Sequence, residues 1–236
     1  MKIKEFFDDG GNMVSIIIPV LNEEKNIEKR LIQFNKLKGD KEIIVVDGGS
    51  KDNTKEIAVR FAKVIISERG RANQMNKGAE KSSGDILWFV HSDSVIKANS
   101  IEEIQLAIDE GYIGGGFSLI FYDYDTLFMK YVSATSNLRA KYLGLYFGDQ
   151  GIFIKKDVFE SLGGYPRQDI MEDWEFSFSM KKIGRLKLIN TPIGTSARRF
   201  MKNGQLKTHL LMHKIKLLYL LGTPADKLAK IYRDIR

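Results

Sequence analysis

Apolar residues in the first 95 positions fall into two alternating patterns. Short unbroken runs rich in Val and Ile, at 14–20 (VSIIIPV), 42–47 (EIIVVD), 63–67 (KVIIS) and 85–90 (DILWFV), have the length and residue types of buried strands. Between them the spacing becomes helical. Ile27, Leu31, Phe34 and Leu37 lie about one turn apart within 23–37, Ile57 and Phe61 are four apart within 52–62, and 71–84 (RANQMNKGAEKSSG) follows the third run. Unbroken Val/Ile runs joined by helices predict parallel strands covered on both faces.

Past residue 95 the pattern loosens. Gly114–Phe121, 151–156 and 185–190 read as strands, 173–184 as a helix, and 206–222 (LKTHLLMHKIKLLYLLG) as a basic, apolar helical segment. With only 4 Pro no linker interrupts 13–200, so this stretch is expected to be one domain. Residues 1–12 read as a loose N-terminal extension, and 201–236 as a C-terminal helical segment packed on or beside the domain.

Composition narrows the function classes. At 236 residues, with 43% hydrophobic and 28% charged positions, the chain has the size and balance of one large α/β domain rather than a disordered or fibrous one. The absence of Cys excludes disulfides, thiolate metal sites and a Cys nucleophile, and agrees with a reducing compartment. The N-terminus has no apolar h-region and no window of about 18 uncharged apolar residues occurs, so neither a signal peptide nor a spanning helix is expected. A cytoplasmic protein is the expectation. A net charge of +7 attracts phosphorylated ligands, anionic lipid or nucleic acid; no recognised nucleic-acid module accompanies it, so nucleic acid is not an expected partner.

In a parallel α/β sheet, ligands bind beyond the carboxyl ends of the strands. Polar groups cluster at all four ends here. The first is followed by Pro19, Leu21, Asn22 and Glu23, the second by Asp47, Gly48, Gly49 and Ser50, the third by Glu68, Arg69 and Arg71, and the fourth by His91, Ser92 and Asp93. In DGGSKDNT, Asp47 closes a strand and Ser50 or Asp52 can cap the next helix, so a plain strand–turn–helix connection accounts for it as well as a ligand contact does. Arg69 and Arg71 at a helix start suit a nucleobase carbonyl or a phosphate, and the neighbouring Asn73, Gln74 and Asn76 suit polar recognition better than solvation. Asp93 suits a divalent cation that in turn holds a diphosphate. The usual pattern for such a site is Asp-x-Asp, which an extended backbone points to one side. Here His91 takes the first place. It either ligates the metal, Mn2+ more readily than Mg2+, or hydrogen-bonds the ligand.

Four segments, SIIIPVLNEEKNI (15–27), EIIVVDGGSKDNT (42–54), GRANQMNKGAEKSSGDILWFVHSDS (70–94) and GGYPRQDIMEDWEFSFSMKKIGRL (163–186), resemble the family 2 inverting glycosyltransferases, in the family's order. The resemblance implies the GT-A nucleotide-diphospho-sugar transferase fold, an α/β fold with a mostly parallel central sheet and helices on both faces. Within the family it is nearest to the transferase 2 proteins associated with radical-SAM/selenodomain clusters and arsenosugar biosynthesis, which share the HxD departure, GDQGIF (148–153) and SARRF (196–200).

Carried over residue by residue, the resemblance implies a nucleotide-sugar site formed by Pro19, Leu21, Glu23, Asp47, Arg71, Ser92, Asp93 and Arg198. Asp47 accepts from the base, Arg71 contacts it, and Leu21 stands where many members stack an aromatic. Asp93, with His91, matches the metal position for Mn2+ or Mg2+. In MEDWE, Asp173 matches the general base that takes the acceptor's proton, with Glu172 positioning it. Asp149 and Gln150 are implied on the acceptor side, with a buried hydrogen-bonding role fitting them nearly as well. Adjacent carboxylates at a helix start also arise from dipole complementation alone. The implied reaction moves a sugar from a nucleoside diphosphate donor, a UDP-sugar first, to a hydroxyl of a small or lipid-linked acceptor.

Other classes fit less well. A dinucleotide-dependent oxidoreductase needs G-x-G-x-x-G after the first strand, where IIIPVLNEE has no Gly. A sugar nucleotidyltransferase would carry a Gly-rich phosphate loop in place of PVLNEE. A non-catalytic nucleotide-sugar-binding protein stays open if Asp93 and Asp173 are dispensable. His209 and His213 share a helical face with no third ligand, so a surface or interface role is expected. For the helix around them, packing on the sheet, docking on a second copy of the chain and contact with an anionic membrane all stay open.

Overall fold

The computed structural model describes residues 12–234. Its strands are β1 (Val14–Val20), β2 (Lys41–Asp47), β3 (Lys63–Ile66), β4 (Ile86–Phe89), β5 (Gly114–Phe121), β6 (Phe153–Lys155) and β7 (Leu186–Thr195). They form one sheet in the order β3-β2-β1-β4-β6-β5-β7. β1 pairs in parallel with β2 and β4, β2 with β3, and β5 with β7; only β6 runs antiparallel to its neighbours. The sheet is thus mostly parallel, as the Val/Ile runs predict. The expected strand at 151–156 shrinks to three residues because Gly151 turns the chain at φ 59. β7 runs on to Thr195, past a register shift opposite Phe117/Ser118.

The helices are α1 (Ile27–Asn35), α2 (Thr54–Ala58), α3 (Arg71–Glu80), α4 (Ser100–Asp109), α5 (Leu127–Leu143), α6 (Lys156–Ser161), α7 (Glu172–Ile183), α8 (Arg198–Asn203), α9 (Gln205–Leu220) and α10 (Ala225–Asp234). α4, α5 and α6 are not anticipated by the pattern reading, although Ile101, Ile104 and Ile108 of α4 carry helical spacing; α10 falls inside the helical segment expected at 201–236, and α8 begins just before it. Successive side chains of β1 point to opposite faces. Ile16 and Ile18 join Leu31 and Phe34 of α1 and Ile101 and Ile104 of α4 on one side. Ile17 joins Met75 and Ala79 of α3, Phe159 of α6 and Phe176 and Met180 of α7 on the other. Helices therefore cover both faces. The expected extension at 1–12 lies, but for Asn12, outside the described residues. In the C-terminal segment, Ile215 of α9 and Leu228 of α10 pack with Leu145, Met171 and Trp174.

One glycine fixes how closely α3 lies on the sheet. A Cβ on Gly78 would stand 2.4 Å from Ile17 Cγ2 and 3.0 Å from Val46 Cγ2, both fully buried side chains. Gly78→Val is expected to destabilise the protein by about 3 kcal/mol, the upper end of overpacking costs, read as a lower denaturant midpoint. A midpoint at or above wild type would mean that α3 is free to move away.

Candidate active site

At the carboxyl ends of β1 and β2 two loops are laced together. Asn22, in left-handed backbone at φ 55, donates its N–H to Ser50 Oγ and accepts from the Lys51 N–H at Oδ1, each at 2.9 Å. The Glu23 N–H donates to Thr54 Oγ1 at 2.7 Å. Asp47, only 2% exposed, accepts at Oδ1 from the N–H groups of Gly49 and Ser50 at 2.6 and 2.7 Å. Its Oδ2 is buried with no hydrogen-bond partner. Leaving a buried acceptor unpaired costs about 1–3 kcal/mol, and an N–H from a ligand seated over the loop would relieve that cost. Pro19, Leu21 and Glu23 are all partly exposed along the same edge.

The amides of α3 serve packing more than recognition. Gln74 Nε2 donates to the carbonyls of Val20 and Val46, both at 2.8 Å, and ties the ends of β1 and β2 together. Asn76 brackets the backbone of Tyr165, donating to its carbonyl at 2.9 Å and accepting from its N–H at 2.8 Å. Arg71 reaches across to α7, its Nη1 donating to Glu172 Oε1 at 3.2 Å, while about half of its side chain stays exposed.

Beyond β4, burial and then the Arg71 charge push the His91 imidazole down to about 4, so it is neutral at pH 7. Its Nε2 is buried with no partner. A Cβ on Gly148 would lie 2.7 Å from that nitrogen and 3.5 Å from Asp173 Oδ2, so His91 and Asp173 meet at the Gly148 backbone. Ser92 is buried. Asp93 is partly exposed, and its Oδ2 accepts from Arg198 Nη2 of α8 at 2.9 Å.

α7 begins under backbone strain. Met171, just before it, sits in left-handed space at φ 65, a cost that non-glycine residues carry mostly at functional sites. Asp173 Oδ2 accepts from the Gly148 N–H at 2.7 Å, and its Oδ1 from the Trp174 N–H at 2.8 Å. Burial and the neighbouring Asp173 charge raise the Glu172 carboxyl, against the pull of Arg71. Burial likewise raises Asp149, opposed by Arg139. Burial and then Arg139 push Lys216 of α9 down to about 8, against the nearby Asp149 and Asp173.

Side chains from the β4 end, α3, α5, α7, α9 and the 3-10 turn at Gly148–Gln150 thus gather at one site, within hydrogen-bonding or electrostatic reach of one another. Gln150 does not line it. The residue is fully buried, with Oε1 accepting from Arg139 Nη2 at 2.6 Å and Nε2 donating to the Phe117 carbonyl at 3.3 Å, so it holds Arg139 instead of meeting an acceptor. Gly148, Arg139 and Lys216 are the site residues that the sequence reading misses. Only GDQGIF, which contains Gly148, carried any signal.

The divalent cation implied by the family resemblance meets a sparse donor set. Among the described residues no three His, Asp or Glu side chains cluster so as to hold a metal ion. Asp93 fits as a single carboxylate anchor, partly exposed at a strand end, provided diphosphate and water bring the remaining oxygens. His91 offers a neutral nitrogen, but that nitrogen lies against Gly148.

A family model described as glycosyl transferase family 2 matches residues 15–204. Glycosyltransferase AglE of Haloferax volcanii is 32% identical over 176 residues, covering 65% of this chain and 56% of its own length, so the chain spans little more than half of that relative. Among solved structures, the mannosyltransferase PcManGT from Pyrobaculum calidifontis, in complex with GDP-Man and Mn2+, superposes with a TM-score of 0.63 at 18% identity, covering 94% of this chain and 69% of that one. S. aureus TarS 1-349 in complex with UDP-GlcNAc gives 0.59 at 18% identity, covering 75% and 56%. At these identities the two structures show a shared fold, that of GT-A glycosyltransferases.

Proposed function

Since the chain belongs to glycosyl transferase family 2 and is a glycosyltransferase, we propose that it moves a sugar from a nucleoside diphosphate donor, UDP-sugar first, to a hydroxyl acceptor with inversion at the anomeric carbon. The reading rests above all on the meeting of His91 and Asp173 at Gly148, with Asp93 two residues further on. We read this approach as a base-type carboxylate and a diphosphate anchor facing one cleft, beyond the carboxyl ends of the parallel strands.

The unpaired Asp47 Oδ2 accepts an N–H of the base, with Pro19, Leu21 and Glu23 at the rim; Leu21 gives weaker contact than a stacked aromatic. Arg198 releases Asp93 to take the diphosphate, and Ser92 and Asp93 face the same group. A divalent cation, Mn2+ or Mg2+, bound at Asp93 would neutralise charge on the departing diphosphate. His91, its Nε2 closed off against Gly148, backs the turn that holds Asp173. On the far side of the sugar Asp173 takes the acceptor's proton as its oxygen attacks the anomeric carbon and the bond to diphosphate breaks. Glu172, held by Arg71, fixes the start of α7, and Asp149 lines the acceptor side. GRANQMNKGA, HSD at 91–93, GDQGIF and SARRF support a place in the selenodomain-associated, arsenosugar-type subgroup. The same reading makes 13–200 the GT-A domain and 201–236 its helical annex, in a cytoplasmic enzyme.

Thermal denaturation with UDP, GDP and other nucleoside diphosphates, with and without Mn2+ or Mg2+, tests the proposal. A ligand at about 100 times its Kd stabilises the native state by about 2.7 kcal/mol, several degrees for a chain of this size. UDP with Mn2+ is expected to give the largest rise. No rise with any nucleotide and metal would overturn the reading.

A further inference from the structure

The helix α9 is apolar on two sides. Ile215, with the partly buried Leu211 and Leu218, packs inward, while Leu206, Leu210, Leu217 and Leu220, together with Leu221 just past its end, are each 57–73% exposed. Leu206, Leu210, His213, Leu217 and Leu220 follow one another at steps of three and four residues, so they form a single outward stripe. The stripe continues onto α5. His209 makes ring contacts with Phe128 at 5.4 Å and Tyr131 at 5.9 Å, which brings the two helices together, and Leu127 and Tyr131 of α5 are 86% and 54% exposed. Scattered apolar residues on a surface need no explanation, but a contiguous stripe crossing two helices does.

Charge identifies what covers it. α5, α8 and α9 each contain three Lys or Arg and not one Asp or Glu, in a chain with 30 acidic residues. Lys207 and Lys214 stand exposed beside the leucines, and Lys141 is exposed on α5. A second copy meeting this face about a two-fold axis would set these cations against their own like. No helix of the described residues is long and apolar enough to cross a membrane. An apolar stripe flanked by cations without acids is the pattern of a helix lying in the plane of an anionic lipid surface, leucines among the acyl chains and lysines at the headgroups.

We propose that the α5/α9 face docks the protein on anionic lipid bilayers. The inner side of α9 carries Lys216, within electrostatic reach of Asp149 and Asp173. Given the cleft reading above, docking therefore sets the acceptor side next to the bilayer, where a lipid-linked hydroxyl would be presented.

Co-sedimentation of the full chain with vesicles tests the docking independently of any sugar transfer. Binding is expected to phosphatidylglycerol-containing vesicles, falling with added salt, and to be at least tenfold weaker to phosphatidylcholine alone. Leu210→Gln combined with Leu217→Gln, and separately Lys207→Glu with Lys214→Glu, should each reduce it at least tenfold while leaving the melting temperature near wild type, since all four residues are exposed. Unaltered binding by both double variants, or no binding to the anionic vesicles, would overturn the proposal. So would a dimer in sedimentation velocity that the leucine variant dissolves, because the stripe would then belong to a second copy. Vesicle binding alongside a failed nucleotide screen would leave docking intact and remove the cleft reading.

Discussion

Asp173→Asn is expected to cut turnover by about 10²–10⁴-fold, the range general bases supply, while leaving nucleotide-dependent thermal stabilisation unchanged. The substitution keeps the shape of a side chain that is 8% exposed and held at both oxygens, by the Gly148 N–H at 2.7 Å and the Trp174 N–H at 2.8 Å. A carboxamide can satisfy only one of those donors, so a loss of about 1 kcal/mol in stability accompanies the change and the fold persists. What disappears is the ability to take a proton. The measurement is release of nucleoside diphosphate from whichever donor sugar passes the thermal screen. Turnover at the wild-type rate would remove Asp173 as the base and leave a nucleotide-binding role for the cleft.

The sequence foreshadows this site unevenly, for reasons visible in particular residues. The β1, β2 and β4 ends are legible because strands buried on both faces appear as unbroken apolar runs, and topology then dictates where ligands bind. α5 is not legible. Only Met129, Val132 and Ala140 of its 17 residues are buried, interspersed with Ser, Thr and exposed Leu and Tyr, so no apolar face emerges. On α9 the helix itself is predicted, but nothing local says that Leu206, Leu210, Leu217 and Leu220 face outward while Leu211 and Leu218 pack inward. Within the cleft, the Arg71–Glu172 pair joins residues 101 apart in the chain, and His91 meets Gly148 only because β4 and the 3-10 turn converge. Gln150 is ambiguous for the opposite reason. An amide fits a recognition role and a buried bonding role alike until Arg139 and the Phe117 carbonyl are seen to absorb both of its ends.

Asp93→Ala is expected to move two affinities in opposite directions. With Mn2+ present, the gain in UDP binding that the cation brings should fall by at least about 10–100-fold, the loss that follows even when a ligand's supporting residue is removed. Without metal, UDP affinity should hold or rise. In the free protein Arg198 donates to the Asp93 carboxylate at 2.9 Å, so deleting that carboxylate releases for the diphosphate the guanidinium of a side chain that is 60% exposed. Arg198→Ala should then weaken metal-free binding, and combining it with Asp93→Ala should cancel the rise. A residue that merely shaped the β4 end would lower both affinities together. Titration of UDP against each variant, with Mn2+ and with chelator, separates the cases, because a Mn2+ enhancement of wild-type size in Asp93→Ala would move the cation away from this strand end altogether.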